Sequence, residues 1–409
     1  MAPLDNVVVV GASLAGLRAV ETLRQDGYDG RIVLVGAEQH LPYDRPPLSK
    51  QLLAGTADVE QVMLRPAADY DTLDLDLRLG TVATALDPAS REVELAGSER
   101  IGYQALLIAT GAAPRFLPGT PPLEGIHVLR TLDDCLALRG DVERAEASGG
   151  RIIVVGAGFI GAEVAATCHG RGVGVTVLEA LPVPMVNALG VEMASACAAL
   201  HYDHGVDLRC GVAVSSFLGD GRVKGVVLDD GRRVDADVVV VGIGVAPATA
   251  WLESSGLKLD NGVVCDATSA TEAPGVFAAG DVARWHNPLF GRDMRVEHWT
   301  NAADQGMVAA KNILAGGGAA EPYAPVPYFW SDQYETKIQC VGHPGPGDEV
   351  QIVDGSIEDR RFVAIYGRAG RLVGALAFSR PRLLMNYRRM ISEGASWEEA
   401  LAQQGGTAA

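Results

Sequence analysis

No cysteine precedes residue 135, and none of the six (Cys135, Cys168, Cys197, Cys210, Cys265, Cys340) stands in a C-x-x-C or C-x-x-x-x-C pair. That spacing excludes a redox dithiol, and scattered thiols of this kind read as small core residues in a reducing compartment. Long apolar runs are also missing. The longest uncharged stretch, Val238–Leu252, is broken by Gly242, Gly244 and Pro247, so it makes no transmembrane helix. Met1–Asn6 carries no positive charge of the kind that opens a secretory signal. Basic runs are lacking too, and a net charge of −17 argues against nucleic acid or anionic membrane as a partner. The chain reads as soluble and cytoplasmic.

What is present points to compact α/β architecture. At 409 residues, two or three domains are expected. A hydrophobic content of 48% with 49 glycines fits many tight strand–helix turns.

One pattern occurs twice. Val7–Val10 runs into Gly11-Ala12-Ser13-Leu14-Ala15-Gly16 and on to Ile32–Val35 and Glu38. Ile152–Val155 runs into Gly156-Ala157-Gly158-Phe159-Ile160-Gly161 and on to Val175–Leu178 and Glu179. Each copy is a β-branched run, a glycine turn, a helical pattern and, roughly 20 residues on, an acid ending another apolar strand. The glycines let the backbone approach a pyrophosphate. The helix start offers it unpaired N–H groups and the positive end of a dipole, and the acid accepts from ribose hydroxyls. Ser13 stands where a second glycine is expected and makes that approach slightly less free. Two dinucleotides on one chain suggest a relay, one cofactor resident and the other diffusible.

The closing strands are also alike. Leu106–Gly111 and Asp237–Gly244 are apolar, end in glycine (Gly111; Gly242 and Gly244) and lead to Ala-Ala-Pro or Val-Ala-Pro. This predicts an internal duplication, the second copy inserted in the first, with the chain returning through Gly275–Asp281. The expected domains are 1–112 with 244–318, then 113–243, then, after a Gly316–Ala320 linker, an α+β domain at 322–409. Within that last domain a hairpin is predicted from Arg361–Tyr366 and Leu372–Phe378 around a Gly367–Gly370 turn, followed by a helix near Leu383–Ile391.

These residues resemble the FAD-dependent NADH:ferredoxin reductases that serve bacterial cytochrome P450s and ring-hydroxylating dioxygenases. The likeness spans nearly the whole chain. It rests on Gly11–Gly16, Tyr43–Lys50, Ala109-Thr110-Gly111, Gly156–Glu163, Gly280-Asp281 and Tyr328–Gln333; Arg45–Lys50 with Phe329–Gln333 marks the branch. The resemblance implies a glutathione-reductase-like pair of Rossmann-like domains plus the α+β domain, with FAD in the first copy and the nicotinamide cofactor in the second. FAD would meet Gly11, Ser13, Ala15, Gly16, Glu38, Arg45, Lys50, the backbone of Val82, Ala109, Thr110, Gly111, Arg130, Gly280 and Asp281. Glu297, His298, Trp299 and Trp330 would complete the flavin site. The nicotinamide cofactor would meet Gly156, Gly158, Ile160, Gly161, Glu163, Glu179 and Gly242. Lys50, Glu163 and Trp330 are the catalytic candidates, with Glu163 pairing Lys50. Plainer readings stand beside these: Lys50 as a solvated lysine, Asp281 as a turn residue, the tryptophans as core and His298 as a hydrogen-bonded structural histidine.

Charge selects the nicotinamide cofactor. Glu179 accepts both ribose hydroxyls but repels a 2′-phosphate, and Ala180-Leu181-Pro182-Val183 supply no Arg or Lys to bind one. NADH is expected over NADPH. Val183 stands near a position where many relatives carry arginine. The implied reaction is hydride transfer from NADH to FAD and single electrons onward to an iron–sulfur ferredoxin and its oxygenase, with neither protein nucleophile nor metal needed. From Arg360 to Ile391 there are eight arginines and no acid, so the Arg360–Arg389 face is the expected docking surface for that acidic partner. A disulfide reductase or peroxidase is nearly excluded by the missing cysteine. Rubredoxin or quinone as acceptor, and an apoptosis-inducing-factor-like role, remain as alternatives.

Overall fold

A computed structural model describes residues 4–316 and 318–403. The first three residues of the Met1–Asn6 opening, Gly317 of the predicted linker and the last six residues of the predicted third domain lie outside the described residues. The described helices are α1 (Leu14–Gln25), α2 (Gln51–Ala54), α3 (Leu132–Ser148), α4 (Phe159–Gly170), α5 (Val186–Asp203), α6 (Trp299–Ala315), α7 (Pro381–Ser392) and α8 (Trp397–Ala402). Two compact units divide the chain. The first takes in residues up to Asp44, Val62–Ala113 and Ala246–Pro327; the second takes in Arg45–Gln61, Pro114–Val245 and the residues from Tyr328.

In the first unit the apolar runs form one parallel sheet. Its order is Val276–Ala278, Ala105–Ile108, Asn6–Val10, Arg31–Val35, Leu75–Arg78. Alternation along the strands sends Val8, Val33, Leu106 and Ile108 to one core with Leu252, Trp285 and Tyr323. Val7, Val9, Ile32, Leu34 and Leu107 go to the other face with Leu17, Leu23 and Ala309. Burial on both faces is why these strands read as unbroken hydrophobic runs.

The second unit repeats the plan. Its parallel sheet runs Asp207–Cys210, Gly174–Glu179, Arg151–Val155, Val238–Val241, Ile126–His127. Val238–Val241 lies beside Arg151–Val155 as Ala105–Ile108 lies beside Asn6–Val10. This is the duplication seen in the sequence. The unit also holds a five-stranded antiparallel sheet from the C-terminal segment, ordered Tyr328–Gln333, Thr336–Gly342, Arg371–Phe378, Arg361–Arg368, Glu349–Ser356. Its Ile338, Phe362, Tyr366, Leu376 and Phe378 pack on Met193, Cys197 and Leu200 of α5. α5 breaks at Gly190 (φ +72°), and the Tyr366 hydroxyl donates to the preceding carbonyl, Leu189 O, at 3.1 Å.

Two details differ from the sequence reading. The hairpin strands extend to Arg368 and from Arg371, so the turn is only Ala369–Gly370, both at positive φ. A two-residue turn of that hand matches the twist of the strands it joins. Secondly, Arg45–Gln61, which falls inside the predicted 1–112 segment, clusters with the second unit. There the Cys135 thiol donates to Leu48 O, Thr167 Oγ1 to Ser49 O and Arg171 Nη1 to Leu53 O. Among the described residues no helix is long and apolar enough to cross a membrane.

Candidate nucleotide sites and a buried carboxylate

The first glycine turn tolerates no side chain at two points. A Cβ on Gly11 (φ +123°) would lie 2.1 Å from Ala109 O, and one on Gly16 would lie 2.0 Å from Gly11 O. Gly11 N donates to Val35 O at 2.8 Å, which pins the turn to the sheet. Ser13 is the N-cap of α1, but its hydroxyl makes no capping bond and the first helical turn carries no acid. Helices α3 and α8, by contrast, each begin with a capping box, Thr131/Asp134 and Ser396/Glu399. The uncapped start of α1 keeps its N–H groups for an external anion. Ser13 sits in extended backbone (φ −124°), which costs a serine nothing.

Other predicted residues of this unit gather at the C-terminal ends of the same parallel strands, where α/β sheets bind ligands. Half-buried Glu38 accepts from the Tyr43 hydroxyl. Thr110 Oγ1 donates to Ala248 O at 3.0 Å, and Gly111 adopts φ +68°. Gly280 (φ +79°) faces Ala15, where an added Cβ would meet the alanine Cβ at 3.2 Å. The next carbonyl, Asp281 O, accepts from Arg295 Nη1 at 3.1 Å, and Arg295 pairs with exposed Glu297 at 2.6 Å. His298 is the N-cap of α6 without a side-chain capping bond. Trp299 Nε1 donates to Asp44 Oδ1 at 2.6 Å, which fixes the indole. The sequence reading left Asp44 unassigned. Val82 is exposed, with its carbonyl accepting the Ala96 amide.

The second turn repeats the first. A Cβ on Gly156 (φ +96°) would lie 2.4 Å from Gly242 O, and one on Gly161 would lie 2.1 Å from Gly156 O. Gly158 caps α4 with open space around its Cα and no acid in the first turn. Ile160 is exposed on that turn. Glu179 is buried, its Oε2 accepting from Ala157 N at 2.8 Å and Oε1 from Leu181 N at 2.9 Å. The carboxylate is thus held against the glycine turn, and no basic side chain follows it before Pro184. Both turns fit a dinucleotide by the same test: a close backbone approach that a Cβ would fill and a helix start without its own cap.

A buried carboxylate joins three segments of the second unit. Glu163 on α4 has a side chain 3% exposed. Its Oε2 accepts from Lys50 Nζ at 2.7 Å and Ser49 Oγ at 2.5 Å. Its Oε1 accepts from Ser331 Oγ at 2.9 Å and Asp332 N at 3.2 Å. Ser49 and Ser331, both buried, lay inside predicted motifs but were given no role, and nothing in their spacing pointed to a shared carboxylate. Trp330 stacks on Tyr328 with ring centres 6.0 Å apart. Arg45 donates to Arg130 O, and Arg130 N donates to Asp134 Oδ2, so these two arginines meet through backbone.

The arginine-rich segment is less uniformly free than its sequence reads. Arg360, Arg368, Arg380 and Arg389 are ion-paired to Asp203, Asp348, Asp354 and Glu393. Three of those acids come from outside the segment in sequence, and Glu393 follows it by two residues. Arg361, Arg371, Arg382 and Arg388 make no ion pair among the described residues; Arg388 lies over the Tyr328 ring at 5.8 Å. Five of the six thiols are buried and Cys210 is half-buried; burial pushes Cys135, Cys168, Cys197 and Cys265 up to about 12.

Fold and site together define a protein that binds two dinucleotides on duplicated α/β domains. A family model described as pyridine nucleotide-disulphide oxidoreductase matches residues 5–306, and one described as reductase C-terminal matches residues 328–407. Rhodocoxin reductase of Rhodococcus erythropolis is 37% identical over 389 residues, covering 95% of this chain and 89% of that protein. The ferredoxin--NAD(+) reductase component of the anthranilate 1,2-dioxygenase system of Burkholderia cepacia is 38% identical over 397 residues, covering 96% and 95%. The solved covalent putidaredoxin reductase–putidaredoxin complex superposes with a TM-score of 0.90 at 32% identity over 99% of each chain. The chain belongs to the pyridine nucleotide-disulphide oxidoreductase family, in the branch that carries the reductase C-terminal domain.

Proposed function

We infer that the chain is an NADH-dependent FAD flavoprotein, a ferredoxin--NAD(+) reductase that passes electrons from NADH to a [2Fe–2S] ferredoxin serving a cytochrome P450 or ring-hydroxylating oxygenase. The single observation carrying this is the pair of uncapped glycine turns, each closed by its own acid, on a chain whose relatives are reductase components of oxygenase systems. Bound FAD supplies the conversion of a two-electron hydride into single electrons. The protein's part is positioning.

Residue roles follow as part of the same reading. The Gly11–Gly16 turn and α1 take the FAD pyrophosphate, Glu38 the adenosine ribose and Gly280–Asp281 the ribityl chain. The Gly156–Gly161 turn and α4 take the NADH pyrophosphate, while Glu179 accepts its ribose hydroxyls and rejects a 2′-phosphate. Glu163 holds the Lys50 ammonium in place, and Trp299 walls the flavin from water. Arg361, Arg371, Arg382 and Arg388 supply positive charge to an acidic ferredoxin. The three-domain division and a cytoplasmic location complete the proposal, the latter supported by six free cysteines.

Anaerobic NADH should bleach the yellow band of the holoprotein, and ferredoxin should then reoxidise it faster than rubredoxin, quinone or oxygen does. Failure to bleach would end the reductase reading. A faster reaction with rubredoxin or quinone would reassign the acceptor alone.

A further inference from the structure

Helix α6 carries a chain of polar side chains that no cofactor role above explains. Asn301, Gln305 and Asn312 are all buried, Gln305 at 0% exposure. Tyr323 OH donates to Asn301 Oδ1 at 3.2 Å, and Asn301 Nδ2 donates to Val296 O at 3.1 Å and to Gln305 Oε1 at 3.4 Å. Gln305 Nε2 donates to Ser269 Oγ at 3.4 Å, and Gln305 Oε1 accepts the Gly280 amide at 2.9 Å. The residue before Gly280 is also held, Ala279 N donating to Ile108 O at 3.0 Å. The next residue on α6, Gly306, lies against the other turn: a Cβ there would come within 2.3 Å of Ala15 O.

We propose that Gln305, seated by Gly306, is a positioning residue for FAD: it fixes the Gly280–Asp281 turn relative to the glycine turn that begins α1. The inference rests on the reading that the first unit binds FAD. One dipeptide of α6 touches both turns, and thereby sets the spacing between the groups assigned to the pyrophosphate and the ribityl chain. Water is a poor substitute for the glutamine oxygen, because Gly280 is buried with Ala15 and Ala302 packed over its Cα. Without that acceptor the Gly280 amide is left unpaired unless the turn rotates. Rotation would move Asp281.

The test measures release of FAD from the diluted holoprotein by flavin fluorescence, together with the position of the visible flavin band and the melting temperature. Gln305→Met removes the acceptor at similar length. Ser269→Ala cuts the other end of the same buried chain and leaves the Gly280 bond intact. Gln305→Met should weaken FAD binding about tenfold and shift the band, whereas Ser269→Ala should change binding by less than about threefold. Should Gln305→Met not fold, Gln305→Glu carries the test. In either ionisation state it keeps an oxygen to accept the Gly280 amide, and ionisation removes only the donor to Ser269 Oγ, so its FAD release should stay within about threefold of wild type. Equal effects of Gln305→Met and Ser269→Ala on FAD, a melting change without altered FAD release, or FAD release from Gln305→Glu more than about threefold faster than wild type would overturn the proposal. Gly11→Val separates the two layers. If it retains FAD, the assignment of the first unit fails; if it loses FAD while Gln305→Met retains it, only the role of Gln305 fails.

Discussion

Replacing Glu163 by glutamine keeps shape and removes charge, so its consequence can be worked from the four bonds to the carboxylate. The amide oxygen can still accept from Ser331 Oγ and Asp332 N. The amide nitrogen then faces two donors, Lys50 Nζ and Ser49 Oγ, and the lysine, only 12% exposed, loses its counter-charge. Its remaining acceptor is Ser49 Oγ at 3.5 Å. Removing one partner of a buried pair costs about 3–5 kcal/mol, and slight access of Lys50 to water favours the lower end. We expect about 3 kcal/mol for Glu163→Gln, a fall of roughly 5 °C in melting temperature. Lys50→Met leaves the carboxylate three donors and should cost about 2 kcal/mol. The double variant has no unpaired charge. Its cost should fall short of the sum of the single costs by about 2 kcal/mol in a double-mutant cycle read by thermal melting. Strict additivity, or single variants within about 0.5 kcal/mol of wild type, would show that the pair holds nothing together.

Glu179→Gln should raise the NADH KM about tenfold and narrow the preference over NADPH, because a charged acceptor becomes neutral and its repulsion of a 2′-phosphate disappears; steady-state kinetics with both cofactors checks this, and an unchanged NADH KM contradicts it. His201, whose Nδ1 lies 2.8 Å from the Tyr334 hydroxyl, is depressed from 6.5 to about 4 by burial first and His204 second. Between those values the unfolded chain binds more protons, so this stability is fully present above the unfolded value and is lost as pH falls, by up to about 1.4 kcal/mol per pH unit. His201→Gln should flatten that acid slope in melting experiments, and an unaltered slope would rule the histidine out. Arg382→Glu with Arg388→Glu should raise the ferredoxin KM roughly tenfold at low salt and much less at high salt. No change at low salt removes this face as the docking surface.

The nucleotide halves were legible because they rest on local necessities. A strand covered on both faces must be apolar throughout, and a turn against a neighbouring backbone oxygen must be glycine, so Gly11, Gly16, Gly156 and Gly161 announce their contacts from spacing alone. The acids Glu38 and Glu179 follow from where their strands end. No local rule told which unit Arg45–Gln61 joins, or that Ser331 shares a carboxylate with Ser49, 282 positions away in sequence. Nor did spacing show that half of the arginines between 360 and 391 have their charge matched, since Asp203, Asp348 and Asp354 come to them only through folding. Gln305 was silent for the same reason: a glutamine on a helix looks exposed until another segment puts an amide against it. Backbone-limited features are written in neighbouring residues, whereas a buried polar partner depends on which distant groups the packed core brings within hydrogen-bond reach.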